Sequence, residues 1–418
     1  MKRINFSERI LAFGTAMTML FGMSIPVFAD ESETLNEKIA NAEEGATITL
    51  DKDYTEDIVV PSGKDVTLDL ATYTLKGTDA ANTATIKVEK GATLKIKGEG
   101  EIVNNSVGNG AACIFNNGTV TIENGTIKKE TGNKSYYNIA NHGKMIINGG
   151  TILNDTPYEE GKSHASLVEN GYYDYTSTNP VIGYVEGENE ANPSLEINGG
   201  TFDGGLNTIK NDDGATLVIN DAKVKNQIQV AVFNVSEATI NGGTYDVPAG
   251  NDKTTVFNRR YNDDVNKGKL VVTGGEFNAD YFIEVINNAT EAQMGEISIT
   301  GGTFNTEKGL INTEGRVDIT TIEISGGTFA QEPSEEKMAT DVEKFENVDG
   351  EWVVGKKVVL TLKFENESED KVENHLSGDE ITLPSAEKEG FELKGWMKDE
   401  ETIYEVGEKI TIEEDTTL

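Results

Sequence analysis

Cysteine is almost missing from this chain: Cys113 is the only one in 418 residues. No intrachain disulfide can form and no cysteine-based metal site is available. Cys113 itself reads as a small strand residue, since an isolated thiol packs like a small hydrophobe. Proline is scarce, with 8 residues, so few positions withdraw a backbone donor from a β-ladder. Histidine occurs three times, at 142, 164 and 375, and no two are spaced to share a metal ion. Positive charge is the deepest deficit: 36 basic residues stand against 72 acidic ones, for a net charge of −36. Such a polyanion repels phosphates and anionic lipid, which excludes a nucleic-acid partner and an acidic-membrane partner.

Long apolar runs are missing too, with one exception at the start. Lys2, Arg3 and Arg9 precede an apolar stretch over residues 10–25, and Pro26-Val27-Phe28-Ala29 ends in small residues before Asp30. This is the pattern of a secretory signal over residues 1–29, removed on export. No second stretch reaches the roughly 20 residues a spanning helix needs, so the exported chain is expected not to insert in a membrane. Residues 30–418 then carry 33 basic and 71 acidic residues, a net −38. An exported protein without disulfides needs another source of rigidity.

What the chain has in excess supplies one. There are 44 Gly, 44 Thr and 38 Asn, and they recur in a phrase: apolar, x, apolar, Asn/Thr/Ser, Gly, Gly, Thr, aromatic or Ile. Clear copies are Ile147–Ile152, Ile197–Phe202, Ile240–Tyr245, Ile299–Phe304 and Ile324–Phe329, with Val272–Phe277 carrying Glu276 at the Thr position. Glu123–Ile127 is looser, and the copy at Lys223 is decayed. The Thr position falls at 126, 151, 201, 223, 244, 276, 303 and 328. A unit of 21 to 27 residues accounts for most steps, with 50 read as a doubled step and 32 as an insertion. A second phrase, apolar-x-Asn, recurs upstream, as in Ile114-Phe115-Asn116, Ile139-Ala140-Asn141, Val168-Glu169-Asn170, Ile209-Lys210-Asn211 and Val232-Phe233-Asn234. Asn116, Asn141 and Asn234 each precede a Thr-position residue by ten.

Each unit holds about three short alternating strands, too close together for helical crossovers. Strands that short, repeated with the same corner residues, predict coils stacked one on the next, a parallel β-helix. Gly-Gly allows a corner with positive φ, stacked Asn amides bond along a ladder, and stability sums over neighbouring coils without disulfides. About ten coils at roughly 4.8 Å each make a rod of about 48 Å. Leu35, Ile39 and Ala42 have helical spacing, predicting a short helix that covers the open end of the stack.

On these residues a resemblance can be stated. The opening Leu35-x-x-Lys38-Ile39-Ala40-x-Ala42-x-x-Gly45-x-Thr47-Ile48-x-Leu50, the following segment over residues 60–70 and the Gly-Gly-Thr-Phe rungs resemble the adhesin-like, pectate-lyase-like right-handed β-helix proteins of bacterial cell surfaces. The likeness covers roughly residues 33–355 and speaks to architecture more than activity. Beyond Phe329 the phrase stops. Residues 331–357 read as a connector with a short strand pair turning at Asp349-Gly350. From Val358 the grammar changes, and Gly390-Phe391-x-Leu393-Lys394-Gly395-Trp396 is similar to the Listeria–Bacteroides (internalin B-type) repeat, a small β-grasp-like module. That repeat's Gly-Gly after the first strand is replaced by Asn366-Glu367-Ser368-Glu369, and its closing apolar-x-Trp is missing after Leu418. The expected order is therefore signal (1–29), parallel β-helix (30–330), connector (331–357) and a truncated repeat module (358–418).

Function is less legible. Residues 153–196 interrupt the repeat and hold Tyr158, Tyr172, Tyr173, Tyr175 and Tyr184, five of the 13 tyrosines. Insertions on a solenoid gather on one functional face, and exposed Tyr rings stack on sugars or fill protein hot spots, though a loop covering its own rung is the plainer reading. Arg259 and Arg260 beside Asp263 and Asp264 form the one lyase-like cluster, pairing a basic group with acidic Ca²⁺ ligands; as a surface loop its charges satisfy one another. Asp212-Asp213 and Asp263-Asp264 are adjacent pairs in turn-like contexts, and neighbours on a strand face opposite ways. His142, after Asn141, reads as a turn residue. The resemblance implies a secreted or cell-surface monomer that adheres or binds an extracellular glycan or a host or wall component, without a cofactor beyond weak Ca²⁺ binding. The alternatives are a lyase or hydrolase acting on an acidic polysaccharide, and a wall spacer without a ligand.

Overall fold

The computed structural model describes residues 33–130, 137–154, 165–259, 268–285, 294–340, 342–364, 369–388, 391–399 and 401–418. The expected signal at residues 1–29 lies outside them. The first coil consists of β1 (Ala46–Thr49), β2 (Tyr54–Thr55) and β3 (Ile58–Val60). Each strand pairs in parallel with the strand three places later in the chain, β1 with Asp65–Asp69, β2 with Thr74–Lys76 and β3 with Ala84–Val88. The pattern repeats along the chain, so three parallel sheets run side by side up one stack. The protein is all-β, a parallel β-helix. Among the described residues ten complete coils are formed, and Thr321–Phe329 begins an eleventh.

Alternation within each strand decides what fills the interior. On the first sheet Ile48, Leu68, Ile96, Ile122, Ile147, Ile197, Ile219 and Ile240 are register partners in succession and all buried. The second sheet ends in an aromatic column: Tyr245, Phe277, Phe304 and Phe329 stack at centroid spacings of 4.8, 5.1 and 4.8 Å, with their planes nearly parallel. Identical coils place identical rings one strand spacing apart, which is close to the offset-stacked optimum.

The two corner glycines do different work. Gly302 has φ +102°, open to glycine alone at low cost. Gly301 is ordinary in φ, but a Cβ there would stand 2.3 Å from the Thr273 carbonyl of the coil below. One glycine turns the chain and the other lets two coils touch. The ladder asparagines are interior: Asn116, Asn141, Asn170, Asn211, Asn234 and Asn258 are all buried. Each amide donates to the next Oδ1 at 2.7–2.8 Å.

The register corrects the reading of the 50-residue step. Thr151 pairs directly with Thr201, so one coil, not two, separates them. Of the surplus chain, residues 171–193 lie outside the three sheets, between the strands Val168–Asn170 and Ser194–Ile197. The 32-residue step behaves as expected, since Thr244 pairs with Glu276 and the extra residues lie between strands.

Both ends of the stack are closed. Helix α1 (Leu35–Asn41) buries Leu35 and Ile39 against the first coil. Thr34 and Glu37 form a reciprocal cap, and the Glu56 carboxylate takes the backbone N–H groups of Leu35 and Asn36 at 3.0 and 3.1 Å. At the other end the connector does more than connect. Glu343–Glu346 and Trp352–Gly355 form an antiparallel hairpin, and its second strand pairs antiparallel with Thr321–Phe329. This reversal ends parallel propagation on the second sheet and covers its last edge at Gly327–Phe329. The C-terminal module follows with its own core of Val358, Leu360, Leu362, Leu383, Trp396, Ile410 and Ile412. Its first strand, Lys357–Leu362, pairs antiparallel with Lys371–Leu376 and in parallel with Thr416–Thr417.

Candidate functional site

Outward positions on a β-helix normally meet water. On the first sheet Lys95, Ile146, Glu196 and Val271 do. The third sheet differs. Its outward residues Phe115, Ala140, Glu169, Lys210, Phe233 and Phe257 are successive register partners, and all six are buried. They occupy the x of the apolar-x-Asn phrase. The third sheet is therefore roofed over from the third coil to the eighth.

Part of the roof is the segment over residues 171–193. Gly171, at φ +102°, turns the chain out of its strand. Tyr172 bridges to Asp213 and is fully buried. Its hydroxyl donates to the Glu190 and His142 carbonyls at 2.5 and 3.3 Å. Tyr175 stacks on Tyr184 at 5.5 Å and meets the Tyr172 ring edge-on at 5.6 Å. Gly214 leaves room for the Tyr175 ring, which a Cβ would approach to 2.5 Å. Lys90 ties the far end by donating to the Asn189 carbonyl at 2.8 Å. Tyr173 alone of the four points out, half exposed, with the Lys210 ammonium 5.1 Å from its ring centroid.

Two titratable groups lie under this roof in opposite circumstances. Glu169 is the register partner of Lys210, and Lys210 is 2.5 Å from the Asp212 carboxylate. Burial and the neighbouring Asp212 charge hold the Glu169 pKa well above the usual carboxylate range, against the pull of Lys210 and the Tyr137 hydroxyl. Burial raises Asp212 as well, with Lys210 opposing. One cation cannot neutralise two buried carboxylates, so the cluster retains a proton. His142 is enclosed between Phe115 at 5.1 Å and Tyr172 at 4.6 Å. Neither ring nitrogen has a hydrogen-bond partner of good geometry. Burial lowers its pKa to about 4, and the Pro180 carbonyl only slightly offsets this.

Further along the strip Arg259 places its guanidinium 4.7 Å from the Phe233 centroid and 4.5 Å from that of Phe257. Burial raises the Glu284 pKa, with the Arg259 charge opposing it. Of the expected lyase-like cluster, Arg259 is thus part of the aromatic strip, while Arg260, Asp263 and Asp264 lie outside the described residues. Tyr158 and His164 also lie outside them. The structure brings Tyr172, Tyr175 and Tyr184 into one cluster that packs inward, and leaves Tyr173 to face solvent. Asp212, read as a turn residue, is a member of a buried charged cluster. Glu169 and Lys210 were not singled out by sequence. The signal was opposite charge in the x slot of consecutive Asn phrases.

Among the described residues no group of three or more His, Cys, Asp or Glu side chains is placed to hold a metal ion, and no helix is long and apolar enough to cross a membrane. Compared with protein-family models, with curated proteins and with solved structures, the chain finds no match.

Proposed function

We propose that this is a secreted or cell-surface protein of the adhesin type that binds an extracellular glycan without turning it over. The β-helix is its rigid scaffold and the roof of the third sheet its contact face. The observation that carries the reading is Tyr173, a half-exposed ring fixed above Lys210 on the roofed third sheet. A ring held in place by a buried cation and by the packed Tyr172 beside it loses little freedom on stacking against a sugar. The C-terminal module, read as a Listeria–Bacteroides-type repeat, acts as a spacer. The protein works as a monomer, with a host or wall polysaccharide as partner and no cofactor.

One observation favours a second reading, a polysaccharide hydrolase. Burial raises the pKa of both Glu169 and Asp212, as it does for the acid of an acid and base pair. They are 3% and 2% exposed, so a glycan reaches them only if the roof opens, and this favours the binding reading. The full exported chain, presented with a panel of plant, host and bacterial-wall glycans with and without Ca²⁺, separates the two. Retention of a glycan with no new reducing ends and no unsaturated products supports binding. Turnover that disappears in Glu169→Gln overturns it.

A further inference from the structure

Among the described residues, one lysine of this acidic chain is buried without a carboxylate partner. Lys129 closes the strand Thr126–Lys129 of the fourth coil and is 1% exposed. Val103 is the register partner of Lys128, so Asn104 and Lys129 are neighbours on successive coils. The Lys129 ammonium donates to Asn104 Oδ1 at 3.0 Å and to the Ser106 carbonyl at 3.3 Å. Among the described residues no Asp or Glu comes within ion-pair distance of it. Asn104 is itself fully buried and held at every polar atom. Its Oδ1 also accepts the Ser106 N–H at 3.0 Å, and its Nδ2 donates to Thr85 Oγ1 at 3.1 Å and to the Thr83 carbonyl at 3.3 Å.

A lone lysine in a dry site costs far more charged than neutral. We propose that Lys129 and Asn104 form an intramolecular isopeptide bond that staples the third coil to the fourth. Burial lowers the Lys129 pKa, against the weaker influence of Cys113 and Asp79, so the neutral amine is the more accessible nucleophile. Its lone pair attacks Cγ of Asn104, and the C=O electron pair moves onto Oδ1. That oxyanion faces the Ser106 N–H, a fixed backbone donor. The attacking nitrogen gives one proton to Nδ2, the Cγ–Nδ2 bond breaks and ammonia departs. The oxyanion collapses to an Nζ–Cγ amide. One C–N bond forms and one breaks, with no oxidant and no net proton. Two groups locked in contact by the fold react as though at very high local concentration.

The staple would supply what the single cysteine cannot, a covalent tie between coils. Cys113, nearby, is no competitor, since burial pushes its thiol up to about 12 and keeps it protonated. The test is peptide mapping of the folded full chain by tandem mass spectrometry after incubation at neutral to mildly alkaline pH. The expected result is one branched peptide joining the segments that carry Asn104 and Lys129, lighter by one ammonia, with tryptic cleavage at Lys129 lost. It must be absent from Lys129→Arg and from Asn104→Ala. Succinimides at Asn117-Gly118 or Asn124-Gly125 also lose ammonia but are linear and open in hydroxylamine, which the isopeptide resists. Recovery of Asn104 unmodified in a linear peptide, with normal cleavage after Lys129, overturns the proposal whatever the variants do.

Discussion

The interior asparagine ladder and the exterior one make the same bonds in different solvents, and this gives a sharp prediction. Asn170 is fully buried. Its Oδ1 accepts from Asn141 at 2.7 Å, and its Nδ2 donates to Asn211 Oδ1 at 2.8 Å and to the Thr216 carbonyl at 2.9 Å. Asn170→Ala withdraws the donor from both acceptors, while Asn141 keeps the Ser194 carbonyl at 3.0 Å. Each acceptor left without its donor costs about 1–3 kcal/mol, so the substitution should cost about 2–6 kcal/mol in all. Asn220 sits in the exposed ladder, donating to Asn198 at 2.7 Å and accepting from Asn241 at 2.8 Å. Water replaces those partners, and Asn220→Ala should cost less than about 1 kcal/mol. Urea unfolding gives the global comparison. Because a solenoid need not unfold in one step, exchange of the Asp212 amide, bonded to the Asn170 carbonyl at 2.7 Å, gives the local one. Equal losses in the two variants would refute the claim that burial makes the inner ladder structural.

Three further outcomes are expected. His142 is held neutral in the fold with its pKa lowered to about 4 from 6.5; its stabilisation is therefore full above 6.5 and lost as pH falls toward 4. The loss approaches about 3 kcal/mol, and denaturation midpoints against pH should show this acid limb flattened in His142→Phe. Glu169 is shifted the other way, so its protonated form stabilises the fold at low pH and that contribution fades as pH rises through the raised pKa; Glu169→Gln, a mimic of the protonated acid, should resist alkaline destabilisation that the parent shows in the same titration. Phe304 stacks on Phe277 and Phe329 at 5.1 and 4.8 Å, and Phe304→Ala should cost about 3–5 kcal/mol in thermal or urea unfolding.

Coil stacking was legible because it rests on residues whose constraint is local. Gly301 must lack a side chain and Gly302 must turn, so both survive as letters, and the buried Asn of each coil leaves the same trace. The length of the enlarged coil was not legible, because an insertion and an extra coil add similar numbers of residues, and only the Thr151–Thr201 register separates them. The site was harder still. Glu169 and Lys210 are 41 residues apart and become neighbours only after that insertion is looped out. The x slot they occupy is free to vary wherever water covers it, so opposite charge in consecutive slots is a faint mark of the coils where a roof replaces water. The insertion's four described tyrosines look alike in sequence, yet Tyr172 packs on His142 while Tyr173, one residue on in a turn, is half exposed. Lys129 ends one strand and Asn104 follows the strand of the coil before it, where no phrase repeats.

The most direct test of the functional claim is paired binding of the full exported chain and two variants to one immobilised glycan panel. Tyr173→Ala removes the outward ring of the roof, and Val317→Ala alters a more exposed residue that is not part of it. The account predicts that Tyr173→Ala loses binding by tenfold or more, as expected for about 1.4 kcal/mol or more of lost stacking, while Val317→Ala binds like the parent. Undiminished binding by Tyr173→Ala would contradict the assignment of the third-sheet roof as the contact face.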